Sequence, residues 1–466
     1  MKQDVMVGME VHVELDTESK LFCGCSTTAE IPNSATCEVC LGHPGSKPVV
    51  NKKAVDFALK LALALNCKIS PELIFSRKSY FYPDMSKNYQ ITQYEIPLGK
   101  EGSVKIGEKE IGIIRVHLEE DPASLVHKGS METSPYVLVD YNRSGRPLCE
   151  IVTKPEIGSA EEARDFMKRL ITILKYLKIF DIKKCIIKAD VNVSVAESGN
   201  TKVEIKNVSG FREIENAVKY EVERQKREVK EGKKIKQETR GWNPETGTTF
   251  FLRSKETEED YGYIFDPDLV VIDVTKEVIE KAKNEMPELP SEKAKKFVKL
   301  HKLKPEDAEI LSAEIILADL FEKLAAEINP LVAAKWLRRE LPRIAHYNKK
   351  ELEELDIDEK HIIELLAMVE KGEITEAVAK KILEKMLIKT FLPKDYVKNE
   401  KLSMVAGASE LKKLCEEAVK ENPNVVEDYK KGKLEALNFL VGQVMRKTKG
   451  TSNPIELKEI IKKIIS

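Results

Sequence analysis

The sequence predicts an α+β fold: an antiparallel sheet with one polar face, followed by helices alone. Three observations carry this. Alternating apolar and polar residues recur through the first 288 residues. Helical stretches separate pairs of these strands, which belongs to helices lying on the back of a sheet. After Met286-Pro287-Glu288-Leu289-Pro290-Ser291 the strand signals stop, and Leu, Ala, Lys and Glu dominate. At 466 residues the chain has room for two or three domains, expected at 1–288, 289–400 and 401–466.

The first strand is Met9-Glu10-Val11-His12-Val13-Glu14, with Val11 and Val13 on one side and Glu10, His12 and Glu14 on the other. For one such strand a wet outer face is the simpler account. The pattern recurs in Val116-His117-Leu118-Glu119-Glu120-Asp121, in Asp190-Val191-Asn192-Val193-Ser194-Val195 and in Val203-Glu204-Ile205-Lys206-Asn207. Carboxylates gathered on one sheet repel one another unless a cation sits among them. Hard oxygen ligands suit Mg²⁺, and Mg²⁺ on a protein commonly accompanies phosphates. The repeated pattern therefore points to a metal–nucleotide site on the open face of the sheet.

Composition narrows the class. Apolar residues make up 42% of the chain, enough for real cores, and charged residues 33%. A net charge of −1 excludes a global basic field, so nucleic-acid contacts must come from local patches. The first residues lack the apolar run of a signal peptide, and no apolar run reaches the ~18 residues that span a bilayer. A soluble cytoplasmic protein without membrane contact is expected. Four of the eight cysteines cluster as Cys23-Gly24-Cys25 and Cys37-Glu38-Val39-Cys40. Four thiolates at this separation can close a tetrahedron around a structural Zn²⁺ within a 23–40 loop, leaving no open position for chemistry.

The remaining elements follow in order. Ala54 to Leu65 has helical spacing. Phe75 to Asp84 mixes bases with aromatics: either a strand under aromatic packing, or a surface where Arg77 and Lys78 grip phosphate and Tyr80 and Tyr82 stack a base. Lys87 to Gln93 continues as a polar-faced strand, and Asn142 to Pro147 is a turn between strands. Asp140 and Glu150 could flank the sheet site there, and Arg143 could hold an anionic oxygen. A surface turn with incidental charges fits those residues as well. Ser159-Ala160-Glu161-Glu162 is a capping box, and Phe166, Leu170, Ile173, Leu174 and Leu177 line one side of the helix it opens. A further helix covers roughly Ile214 to Val229. Beyond the boundary, helices begin near Ser291, Pro305, Glu314, Leu331, Asp358, Thr375 and Ala408. At the end, Arg446, Lys447 and Lys449 form a basic helix terminus. It either complements the helix dipole or touches an RNA backbone. There is no G-x-x-x-x-G-K-[ST] and no G-x-S-x-G.

Taken together, Val7-Gly8-Met9-Glu10-Val11-His12-Val13, the four cysteines, Arg77 to Asp84, His117 to Asp121, Asp140 to Arg143, Asp190 to Ser194, Glu204 to Asn207 and Gly442-Gln443-Val444-Met445 resemble the B subunits of tRNA-dependent amidotransferases. The resemblance implies a glutamine-synthetase-like cradle domain, a helical domain and a YqeY-like tail that holds tRNA through Arg446, Lys447 and Lys449. It implies work beside a GatA amidase that releases ammonia and a small GatC subunit. It also implies ATP-dependent phosphorylation of the side-chain carboxylate of misacylated Asp-tRNA(Asn) or Glu-tRNA(Gln), followed by amidation. On this reading Glu10, Glu119 and Glu120 hold Mg²⁺, with Asp190 as a further candidate and His12 beside them. Lys78, Arg143 and Lys206 meet phosphate or the substrate carboxylate. Tyr80, Tyr82, Asn192, Ser194, Glu204, Arg253 and Lys255 face the nucleotide. The chain departs from the family pattern at Glu14, Pro122-Ala123-Ser124, Lys188 and Gly262. The alternative is a non-catalytic tRNA-binding scaffold.

Overall fold

Alternation decides which way each strand faces, and in a computed structural model of the chain it does so across a nine-stranded sheet. The structure describes residues 4–128, 134–254, 262–404, 408–448 and 450–465. From one edge to the other the strands are Thr248–Ser254, Glu238–Asn243, Val203–Val208, Ile187–Val195, Val5–Glu14, Pro147–Thr153, Lys109–Glu120, Gly99–Ile106 and Lys68–Ile69. The first strand of the chain is therefore central, with Glu10 opposite Asp190 on one side and His12 opposite Glu150 on the other.

The expectation of a purely antiparallel sheet needs one correction. Val203–Val208 and Glu238–Asn243 run parallel. A parallel pair needs a long crossover, and the helix Phe211–Lys230 supplies it.

Behind the sheet lies the core. Val7, Met9, Val11 and Val13 are fully buried and pack with Phe166, Leu170, Leu174, Ile214 and Val218 from two helices. The Ala160–Leu177 helix starts where Ser159 accepts from the Glu162 N–H at 3.1 Å. The Glu162 carboxylate reaches back one residue further than a capping box requires, to the Gly158 N–H at 2.8 Å. Among the described residues, no helix is long and apolar enough to cross a membrane.

The chain divides into two units after Leu289. Among its described residues the regular elements of the second are all helices. Its apolar side chains form two separate clusters, one from Phe297 to Val397 and one from Leu411 to Ile465.

In the first unit, Phe166 is the large side chain that joins helix to sheet, and it is fully buried. F166A is expected to cost about 3–5 kcal/mol, measured as a lowered denaturant midpoint for loss of strand signal. An unchanged midpoint would mean that this helix does not hold the sheet.

Candidate active site

The polar face of the sheet is the floor of a cavity of about 680 Å³, a size suited to a small-molecule ligand. Two groups of ligand atoms stand on this floor. His12, Glu119 and Glu150 form one, and Glu10, Asp190 and Glu204 the other. Within each group the atoms lie within 4.8 Å of one another. Every member of a group comes from a different strand, so the register of the sheet builds both.

Cations and hydrogen bonds surround these carboxylates. His117 is buried, with Nε2 at 2.9 Å from Glu150 and 3.6 Å from Glu119. Burial pulls the His117 imidazole down, but Glu150 and Glu119 outweigh it and hold it at about 9. Burial likewise opposes the charge on Glu150 and Glu119; the two histidines beside them nonetheless depress both carboxyls. His12 is raised despite burial by Glu150, Glu119 and Asp190.

In the second group, Asp190 accepts from Lys206 and from the Asn207 N–H at 2.8 Å. Asn207 sits at φ 56° beside a break in the strand register. Asn and other short polar residues tolerate that left-handed conformation, and here it aims the backbone N–H at Asp190. Asn192 donates to Glu10 at 3.0 Å, and Thr239 donates to Glu204 at 2.8 Å.

Most residues chosen from the sequence meet in this cavity: Glu10, His12, Lys78, Tyr80, Glu119, Arg143, Asp190, Glu204, Lys206 and Arg253 line it. Glu120 does not. Alternation sends it to the opposite side of its strand from Glu119, where Lys87 pairs with it and the Ile91 N–H donates to it at 2.8 Å. Glu120, expected to hold magnesium, therefore does not face the space where the other acids meet. Arg77 is also spent elsewhere, on Asp266 at 2.8 Å and Asp268 at 2.9 Å. Tyr82 is half exposed, its ring 6.0 Å from that of Tyr80, and does not line the cavity. Asn192 acts on Glu10 rather than on the open space, and Ser194 donates to the Met6 carbonyl at 3.4 Å. Arg143 grips the buried Asp121 through two N–H groups. Arg446 and Lys447 end the Glu435–Lys447 helix, where Lys447 pairs with Glu421 at 2.8 Å. Lys255, expected at the nucleotide, and Lys449, expected at the tRNA, lie outside the described residues.

Sequence reading assigned no role to His117 and left Glu150 undecided. The signal for His117 was its parity with Glu119. For Glu150 it was a carboxylate inside the otherwise apolar Pro147–Thr153 strand, buried along its whole length. Lys188 also lines the cavity. It stands opposite His12 in register, and no hydrogen bond or ion pair joins its side chain to another described residue, while Asp121, Glu14 and Asp190 act on it at longer range. Burial and the neighbouring Arg143 lower its pKa.

The four cysteine sulfurs lie within 4.8 Å of one another, and those of Cys37 and Cys40 are 3.9 Å apart. A zinc tetrahedron with Zn–S near 2.3 Å has sulfurs about 3.8 Å apart. A hydrogen bond from Cys23, reinforced by Lys20, lowers the Cys40 thiol to about 4 against the pull of burial. The donor set thus fits a structural zinc ion.

Two family models match the chain: the one described as GatB/GatE catalytic domain over residues 5–280, and the GatB domain over residues 319–465. Full-length relatives named as the B subunit of aspartyl/glutamyl-tRNA(Asn/Gln) amidotransferase include those of Carboxydothermus hydrogenoformans, 42% identical over 98% of each chain, and of Caldanaerobacter subterraneus subsp. tengcongensis, 42% identical over 100% of each. The relative of that name from Saccharolobus solfataricus is 43% identical over 98% of this chain and 99% of its own.

If the two groups are cation sites, the chain should bind Mn²⁺ at both. E150Q and D190N should each remove one of two Mn²⁺ equivalents in equilibrium titration followed by electron paramagnetic resonance. E120Q should leave both. Equal loss in all three variants would sink the division into two groups.

Proposed function

The chain belongs to the GatB/GatE family, and on that premise we propose that it is the amidotransferase component that phosphorylates and then amidates the side-chain carboxylate of misacylated Asp-tRNA(Asn), Glu-tRNA(Gln) or both. The observation that supports this most directly is the meeting of five carboxylates from five strands in one cavity, arranged as two groups. Phosphoryl transfer asks little covalent chemistry of a protein; it asks for alignment and neutralised charge. A free carboxylate is a poor electrophile, and phosphorylation gives it a leaving group.

His12, Glu119 and Glu150 would hold one Mg²⁺, and Glu10, Asp190 and Glu204 a second. Bound there, magnesium neutralises triphosphate oxygens and orients the γ-phosphoryl group. Lys206 and the Asn207 N–H restrain Asp190, and Asn192 restrains Glu10, so these carboxylates would meet a cation from fixed positions. Lys78, Arg253 and Tyr80 line the same space for the nucleotide. Lys188, opposite His12, and Arg143, beside Glu14, would offer the substrate carboxylate a counter-charge. The buried walls limit the water that reaches the acyl phosphate.

Ammonia would come from a GatA amidase, with GatC completing a cytoplasmic heterotrimer. The helical unit would divide near residue 400 into a helical domain and a tail, and the exposed Arg446 would meet the tRNA backbone there.

The test is ATP hydrolysis by the assembled complex. Misacylated tRNA should stimulate it, and E10Q or D190N should lower kcat for amidation by about 10²-fold or more, as removal of a charge-stabilising group does elsewhere. K188M should raise KM for misacylated tRNA more than KM for ATP. A complex that binds tRNA without any tRNA-dependent ATP hydrolysis would make the chain a scaffold instead.

A further inference from the structure

Lys20 is among the largest fully buried side chains of the described residues. A buried ammonium is costly unless its protons are met, and here all three are. Nζ donates to the Ala35 carbonyl at 2.9 Å, to the Tyr141 carbonyl at 3.1 Å and to Cys40 Sγ at 3.5 Å. Cys40 Sγ is the one side-chain partner among these. Lys20 therefore joins two segments far apart in sequence: the cysteine loop and the turn that carries Arg143.

Other bonds run along the same seam. The Ala35 N–H donates to Asn142 Oδ1 at 2.8 Å, and Asn142 Nδ2 donates to the Ile31 carbonyl at 2.7 Å. The Tyr141 N–H donates to Asn33 at 2.7 Å, and Ser144 donates to the Cys40 carbonyl at 3.3 Å. The turn is tight: Gly145 has φ 83°, and a Cβ placed there would stand 3.6 Å from Lys20. Gly145 and Arg146 of the same turn hydrogen-bond the Asp121 and Arg143 carbonyls at 2.8 and 3.0 Å, and Asp121 is the partner of Arg143 in the cavity.

We infer that Lys20 is a positioning residue which fastens the cysteine cluster to the Arg143 turn, so that filling the cysteine site sets where Arg143 stands in the cavity. Its effect on catalysis rests on the function proposed above; the mechanical link does not. Four cysteines holding a metal have no free position for chemistry, and this gives the site an influence on the cavity through structure alone.

The experiment has two arms, both on the full chain assembled with its partner subunits. In the first, hydrogen exchange is followed at the Gly145 and Arg146 amides before and after a zinc-selective chelator. In the wild type, removing zinc should speed exchange there at least tenfold. In K20M, which keeps all four cysteines and should keep its zinc by metal analysis, exchange should already be fast and chelation should change it less than twofold. In the second arm, K20M should lower kcat for tRNA-dependent ATP hydrolysis about as much as R143Q, and the K20M/R143Q double variant should be no slower than R143Q. Should K20M fail to assemble, N142A cuts the same seam without touching the buried ammonium. Exchange at the turn that ignores zinc in the wild type, or losses that multiply in the double variant, would overturn the link. A wild type without tRNA-dependent hydrolysis would instead overturn the proposed function, with the exchange arm still deciding the role of Lys20.

Discussion

Mutual repulsion among carboxylates governs the first unit. Glu10 and Asp190 are cross-strand partners, and His12 sits between Lys188 and Glu150. Like charges directly opposite on a sheet destabilise it, so a floor of this kind survives only with cations placed between the acids. The fold supplies His117 and His12 for one group and Lys206 for the other. A divalent cation can do the same work with more charge in less space. The protein's own cations and a metal bound as proposed would compete for the same carboxylates, which would tie the stability of the floor to its occupancy.

The two faces of the sheet obey opposite demands, and one strand period satisfies both. Val7, Met9, Val11 and Val13 sit against helices while Glu10 and His12 meet the cavity. A one-residue slip would bury the acids and expose the valines. The apolar core thereby fixes the geometry of the polar site without touching it. This is why helices on the back of the sheet matter to a cavity on its front.

That same rule explains what could be read in advance and what could not. Alternation in Met9 to Glu14, Asp190 to Val195 and Val203 to Lys206 identified the floor because parity is local information. Applied strictly it also separates Glu119 from Glu120, and it would have placed His117 with Glu119. Glu150 was harder, because a strand buried on both faces reads as an apolar run with no period to mark the odd residue. The partner of Glu120, Lys87, lies on another segment, and no local pattern announces a long-range ion pair. The parallel step between Val203–Val208 and Glu238–Asn243 was hidden for the same reason: strand direction depends on how a helix returns the chain, not on the strand's own residues.

Positive groups in the cavity divide by what already holds them. Lys206 is bound to Asp190 and Arg143 to Asp121; neither can approach an incoming anion without loosening a buried partner. Lys188 faces no such loss, since no described residue pairs with it. On the proposed function an arriving carboxylate would gain more at Lys188 than at Lys206 or Arg143, because a half-buried cation would gain a partner where those two would have to share theirs. Arg143 is left to act through its position, held from one side by Asp121 and from the other by the turn that the cysteine loop grips. On the proposed function, Lys188 would receive charge and Arg143 would define the wall against which the acyl group is placed.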